Sequence, residues 1–240
     1  MGFTIGGMRE RSGARSGARV GVRRRGRSSE GTAVAEFTGL WGWDVVPGAR
    51  VAPGGRDCSC GRADCPEPGA HPLAYAPEIP AGSTLDDVTR AWSDHPGAAV
   101  MLPVGRAFDV LEVPETAGRL AVVRLERMGL PVGPVTVTPE RRAQFFVAPG
   151  AADELPSLLY RMGLDDRGPS GAEGARAARR PAGLRALGAG AYVTAPPSDR
   201  GGRGPVRWLR QPALDSAAGL PAARLLLGTL AYAAHRSPRT

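Results

Sequence analysis

The residues of this chain best suited to chemistry sit in the stretch "RDCSCGRADCPEPGAHP", which gathers Cys58, Cys60, Cys65 and His71 into fourteen positions and contains every cysteine of the sequence. Thiolate and imidazole are the ligands zinc prefers, and four of them close a tetrahedron. The spacing C-x-C-x4-C-x5-H lets one loop supply all four, with glycines and prolines turning the chain around an ion. An odd number of clustered cysteines beside a histidine reads as a metal site rather than a disulfide. No coordination position is left open, so the expected role is structural.

A second group is acidic. In "AFDVLEVP" an apolar strand carries Asp109 and Glu112. Carboxylates that converge can hold divalent cations for phosphoryl transfer. On a regular strand, however, residues i and i+2 share a face while i and i+3 do not. Asp109 is therefore expected beside Leu111, and Glu112 beside Phe108 and Val110, unless a bulge at Val110-Leu111 intervenes. Both acids read equally as edge residues paired with Arg106 or Arg119. A third group is basic: in "GGRGPVRWLR", Arg203, Arg207 and Arg210 flank Trp208, the combination that contacts phosphates and stacks on bases of a single strand. Trp208 reads equally as a core residue.

Composition sets the frame for these groups. The 240 residues carry a formal net charge of +8, and every basic residue among the 31 is arginine. A GC-rich coding bias accounts for the missing lysine, while the positive balance suits a polyanionic partner. Lysine's absence also excludes a P-loop. No apolar run is long enough for a membrane span, and the arginine-rich opening lacks the apolar region of a signal peptide, so a cytoplasmic protein is expected.

The elements that must position these residues follow from periodicity. Residues 1–33, with their "SGAR" duplication and arginine cluster, are expected to form a disordered basic arm, and 34–240 a single domain. Order should set in near Trp41 and Trp43. "STLDDVTRAWSDHP" is a capped helix with Leu85, Val88 and Trp92 on one face. "AAVMLPVG" and "AFDVLEVP" are paired strands or a hairpin about Gly105-Arg106. "ETAGRLAVVRLERMG" is a helix with Leu120, Val123 and Leu125 inward and Gly129 as its C-terminal stop. "GPVTVTP" and "AQFFVAPG" are strands about a turn at Glu140-Arg141-Arg142. A helix at "AADELPSLLYRMG", a flexible loop over 165–183, the strands "AYVTAPPS" and "PVRWLR", and a helix over 220–235 complete an α+β domain.

The succession "CSCGRADCPEPGAHP", the Trp92 helix, "MLPVGRAFDVLEVPETAG", "VTPERRAQFFVAPG", "AYVTAPPS" and "GPVRWL" resembles the N-terminal domain of bifunctional DNA primase/polymerases, the prim-pol branch of the archaeo-eukaryotic primase superfamily, as found in stand-alone actinobacterial members. The resemblance runs over about 40–236. It implies a prim-pol-like mixed sheet with flanking helices, a zinc-binding loop insertion at 56–72, and templated nucleotide addition with Mg2+ or Mn2+. Asp109 and Glu112 would then be the metal ligands, with Arg141, Arg142 and Gln144 near the triphosphate. Single-stranded or primer-template DNA would be the partner, and replication proteins a further one; no membrane partner is implied.

Three departures bear on that activity. The family's acid-x-acid pair is spaced here as Asp109 and Glu112. Its histidine on the following strand is replaced by Gln144, which carries no titrating proton. Its third acid, ahead of "AYVTAPPS", has Gly183 or a neighbour in its place. The expectation is a nucleic-acid-binding domain with eroded catalytic motifs; the alternative is a catalytically inactive, zinc-stabilised adaptor that binds another protein.

Overall fold

The computed structural model describes residues 21–52, 55–164, 183–213 and 219–236, with side chains from residue 30 on. Five helices, α1 (Gly21–Gly39), α2 (Leu85–Ser93), α3 (Glu115–Arg127), α4 (Ala151–Arg161) and α5 (Ala223–Arg236), alternate with short strands. The strands form two sheets. Strands β1 (Val46–Gly48), β2 (Ala99–Pro103) and β7 (Tyr192–Thr194) make the smaller one, in the order β1-β2-β7. The larger one runs β6-β3-β5-β4-β8, built from β3 (Asp109–Pro114), β4 (Val135–Val137), β5 (Arg142–Val147), β6 (Arg185–Leu187) and β8 (Arg207–Arg210). The α+β class stands; where one mixed sheet was expected, two sheets are present and all their described pairings are antiparallel.

Alternation along β3 and β5 divides the interior in two. Leu111, Val113, Ala143, Phe145 and Val147 point to one side of the large sheet and pack with α3, α4 and α5. Val110 and Phe146 point to the other side, into a second core that includes Val34 and Phe37 of α1, Val88 and Trp92 of α2, and Cys58 of the cysteine loop. Trp43 fixes this second core: its ring lies 5.9 Å from Phe37, 5.0 Å from Phe108 and 5.3 Å from Phe146.

Several expectations change in detail. Helix α1 begins inside the stretch expected as a disordered arm, because Val34 and Phe37 are spaced to bury one face; residues 1–20 lie outside the described residues, as do 165–182 of the expected flexible loop. Strands β2 and β3 do not pair with each other but enter different sheets. On α3 the inward residues are Ala117, Gly118, Ala121, Val122 and Leu125, while Leu120 and Val123 are exposed. The reason is close approach: a Cβ on Gly118 would come within 2.2 Å of the Ala143 Cβ, so small residues have to face the sheet. Leu85 is likewise exposed at the start of α2, where Thr84 caps the helix by accepting from the Asp87 N–H.

Candidate functional site

The cysteine loop is the first element of the site. Cys58, Cys60, Cys65 and His71 bring one ligand atom each to within 4.8 Å of one another. His71 Nε2 stands 3.4 Å from Cys58 Sγ and 3.3 Å from Cys65 Sγ. Zinc–sulfur and zinc–nitrogen bonds of about 2.3 and 2.0 Å at a tetrahedral angle separate S from N by roughly 3.5 Å. The spacing fits a metal ion such as zinc. Nδ1 of His71 lies 2.8 Å from the Pro72 carbonyl; donating its proton there leaves the Nε2 lone pair for the metal. Burial opposes a thiolate at Cys58, but hydrogen bonds from the Cys60 and Gly69 backbone and from the Cys60 side chain bring its pKa down to about 6. Among the described residues this is the one convergent group of three or more Cys, His, Asp or Glu side chains.

The acidic pair is divided by the sheet, as its spacing requires. β3 stays in regular register with β5 from Asp109↔Val147 to Pro114↔Arg142, so no bulge reunites the two acids. Asp109, 2% exposed, turns toward α4 and accepts from the Ala152 N–H at 2.9 Å. A carboxylate on the first turn of a helix satisfies an orphan donor and complements the helix dipole. Neither Arg106 nor Arg119 pairs with it: Arg106 bridges Asp44 and Glu78, and Arg119 holds Glu115.

Glu112, also 2% exposed, turns to the opposite side. The antiparallel register places Gln144 on one flank of Glu112 and Arg185 on the other. Thr136 Oγ1 donates to Gln144 Oε1 at 3.1 Å, and Gln144 Nε2 donates to Glu112 Oε2 at 3.0 Å. Glu112 Oε1 accepts from Arg142 Nε at 2.8 Å and from Arg185 Nε at 2.7 Å. Arg142 reaches on to the Gly183 carbonyl. Burial works against the Glu112 charge, yet the bonds from Gln144 and Arg142 and the charges of Arg185 and Arg142 outweigh it and hold the carboxyl below its ordinary pKa. Gln144 is therefore the fixed donor that a chain of side chains needs at this point. Arg185 was not singled out in the sequence; the register signal that finds it, a strand paired to Glu112, is a tertiary one.

A cleft of about 420 Å3 lies over this face, floored by Glu112, Gln144 and Thr138. The cysteine loop forms one wall through Arg56 and Glu67, and the Arg200–Arg203 turn another. The two walls touch, since Gly201 donates its N–H to the Gly69 carbonyl at 3.1 Å. Arg200 and Arg203 both approach Glu140 Oε1, at 3.5 Å each.

The remaining candidates separate. Arg141, at φ 59° on the tip of the β4–β5 turn, pairs with Glu115 at 3.7 Å and does not line the cleft. Arg203 is at the cleft and Arg207 is exposed, but Arg210 is tied to Glu126 at 2.7 Å and to the Val132 carbonyl at 2.9 Å. A register shift at Val135/Thr136 turns it away from Trp208. Trp208 is half-buried, its ring 6.3 Å from Phe37 and 6.1 Å from Phe146, so packing occupies much of its surface.

Among known proteins, neither the curated sequences nor the solved structures give a match to the chain. A family model does: that of the bifunctional DNA primase/polymerase, N-terminal, matches residues 35–223, which spans most of the chain, and the chain belongs to that family.

Proposed function

We propose that this primase/polymerase-family domain binds single-stranded or primer-template DNA through its arginine-rich cleft face and does not add nucleotides on its own. The observation that carries the reading is the division of the two acids. Two-metal phosphoryl transfer requires carboxylates that converge on one side, and positioning and charge neutralisation at the metals supply most of its rate. Asp109 is held through one oxygen on the first turn of α4, its other oxygen buried without a partner on the far side of the sheet from Glu112, and Glu112 is engaged by two arginines and Gln144. On the face of Glu112 the positions two residues away are Val110 and Pro114, neither of them a ligand. Glu67 and Glu140 also line the cleft, but among the described residues the one convergent group of three or more such ligands is that of the cysteine loop, so the cleft does not fit a pair of Mg2+ or Mn2+ ions and no catalytic step is assigned to it. Zinc in the Cys58, Cys60, Cys65 and His71 site would brace the loop that walls the cleft. Cytoplasmic location and a role beside replication proteins accord with this reading; no described helix is long and apolar enough to cross a membrane.

The test is primer extension and de novo priming with Mn2+, run beside fluorescence anisotropy on single-stranded DNA. Salt-sensitive DNA binding without nucleotide incorporation is the expected result. Incorporation abolished by Glu112→Gln would overturn it. A second reading, an adaptor that binds another protein, draws on the exposed Leu120 and Val123 of α3 and on Tyr232 of α5, whose ring lies 4.6 Å from the Arg124 guanidinium. Pull-down by the native chain, lost in Leu120→Asp without change in DNA binding, would favour it.

A further inference from the structure

The cleft holds more than the remnant of a metal site. Its lining has five arginines against three glutamates, an excess of two positive charges. Four of the arginines are organised in pairs, each pair gathered by one carboxylate oxygen: Arg142 and Arg185 on Glu112 Oε1, Arg200 and Arg203 on Glu140 Oε1. Two guanidiniums repel each other when brought together in a cleft. A shared glutamate holds them there before any ligand arrives, which removes part of the ordering cost of binding. Each guanidinium has five N–H donors in a rigid fork. The glutamates use only part of that capacity. Arg185 and Arg203 keep 62% and 68% of their side chains exposed, so donors remain available to a ligand. Arg56 adds a fifth cation from the cysteine loop and has no ion pair among the described residues.

We propose that this cleft binds the polyphosphate of a nucleoside triphosphate as a metal-free anion, with the Arg142–Arg185 pair standing at Glu112 where divalent cations would otherwise neutralise the phosphates. The inference rests on the part of the proposed function that reads this cleft as an anion-binding groove without catalytic metals, and not on DNA being one of its ligands. Both cross-strand neighbours of Glu112 on its face, Gln144 and Arg185, donate to it, so a cation entering there would meet two guanidiniums and would have to break charge-assisted bonds. A phosphate meets the reverse situation. Two arginine pairs on two separate carboxylates call for a ligand with more than one phosphate, and a volume of about 420 Å3 is within the range of small-ligand clefts.

The experiment is isothermal titration of the zinc-loaded full chain with dATP, in buffer freed of other divalent ions by a chelating resin, and again with excess Mg2+. Inorganic tripolyphosphate serves as competitor. Saturable binding without Mg2+ is expected, no tighter when Mg2+ is added, displaced by tripolyphosphate, and weakened about tenfold or more in Arg185→Ala and in Arg203→Ala, the loss of one charge-assisted contact. These two side chains are largely exposed, so the variants should fold; retained zinc and a cooperative melting transition check this. Binding that requires Mg2+ or Mn2+, no binding under either condition, or metal-free binding indifferent to both substitutions would overturn the inference. A single-stranded oligonucleotide titrated in parallel reports on the DNA-binding reading by itself: if DNA fails to bind while dATP binds, that reading falls and this one stands.

Discussion

Gln144 donates its side-chain amide to Glu112 across the β3–β5 pair at 3.0 Å, and through Thr136 this bond extends into a side-chain chain that crosses three strands. A histidine in that position would bring a titratable proton; glutamine brings a donor of fixed charge. Glu112 is thereby held as a carboxylate, and its charge is what keeps Arg142 and Arg185 together.

This arrangement has a pH signature. The folded-state pKa of Glu112 is depressed, so its contribution to stability is complete above the unfolded carboxyl value of about 4.3 and is lost as pH falls through the lower folded value. Glu112→Gln keeps the shape and removes the charge, leaving two guanidiniums unopposed. It is expected to cost about 1–3 kcal/mol at pH 7, discounted for the exposure of Arg185, and to flatten the acid limb of the stability curve. Urea denaturation between pH 3 and 7 measures both, and a variant with the native slope would remove Glu112 as its source.

Helix α1 is part of the domain because Phe37, 3% exposed, stacks on Trp43 at 5.9 Å and approaches Trp208 at 6.3 Å. Phe37→Ala should cost about 3–5 kcal/mol, the usual range for emptying an aromatic site in a core. Chemical denaturation of the full chain checks this. A change below about 1 kcal/mol would place the helix outside the cooperative unit.

Where the sequence was legible, a local rule was enough. The convergence of Cys58, Cys60, Cys65 and His71 follows from residue type and spacing, the Thr84 cap from the helix-start pattern, and the opposed faces of Asp109 and Glu112 from the period of a strand. The unread features need partners distant in sequence. Asp109 is anchored by Ala152, and Glu112 is anchored by Arg185, 73 residues away. The inward face of α3 could not be chosen by hydrophobicity, because contact with Ala143 admits Gly118 and alanines and turns Leu120 outward. Arg210, similar to Arg203 by composition, is captured by Glu126 only after the register of β8 shifts.

That separation predicts unequal roles in DNA binding. Arg203 lines the cleft, whereas Arg210 is bound to Glu126 and Val132. Arg203→Ala should weaken single-stranded DNA binding and lower the slope of log K against log salt by about 0.7, one phosphate contact. Arg210→Ala should leave affinity and slope unchanged. Anisotropy titrations at several salt concentrations decide it, and equal losses in the two variants would contradict the placement.

Metal removal should act on the cleft through its wall. About one equivalent of zinc is expected at Cys58, Cys60, Cys65 and His71, where it would brace the loop that carries Arg56 and Glu67 and that bonds to Gly201 through the Gly69 carbonyl. Structural zinc sites contribute several kcal/mol, so chelation should lower the melting temperature by roughly 5 °C or more. Cys60→Ser should reproduce the effect. Metal analysis and differential scanning fluorimetry test this together; freshly purified protein without zinc, or a melting curve indifferent to chelation, would exclude the site.

The occupation of Glu112 by arginine can be reversed by one substitution. Residues directly opposite on neighbouring antiparallel strands have Cβ atoms about 4.5–5.5 Å apart, and Arg185 holds that position against Glu112. Arg185→Asp would set a second carboxylate beside the first and remove one competing cation, which is the minimum a shared divalent ion requires. The zinc-loaded variant is expected to bind Mn2+, seen as loss of the free-ion signal in electron paramagnetic resonance, and to lose dATP binding in divalent-free buffer. The native chain should show the opposite pattern, because its Glu112 oxygens already accept from Arg142, Arg185 and Gln144. The two readouts move in opposite directions only if arginine stands in the place of a metal. Equal Mn2+ binding by the native chain and the variant would mean that divalent ions are held at residues other than this pair.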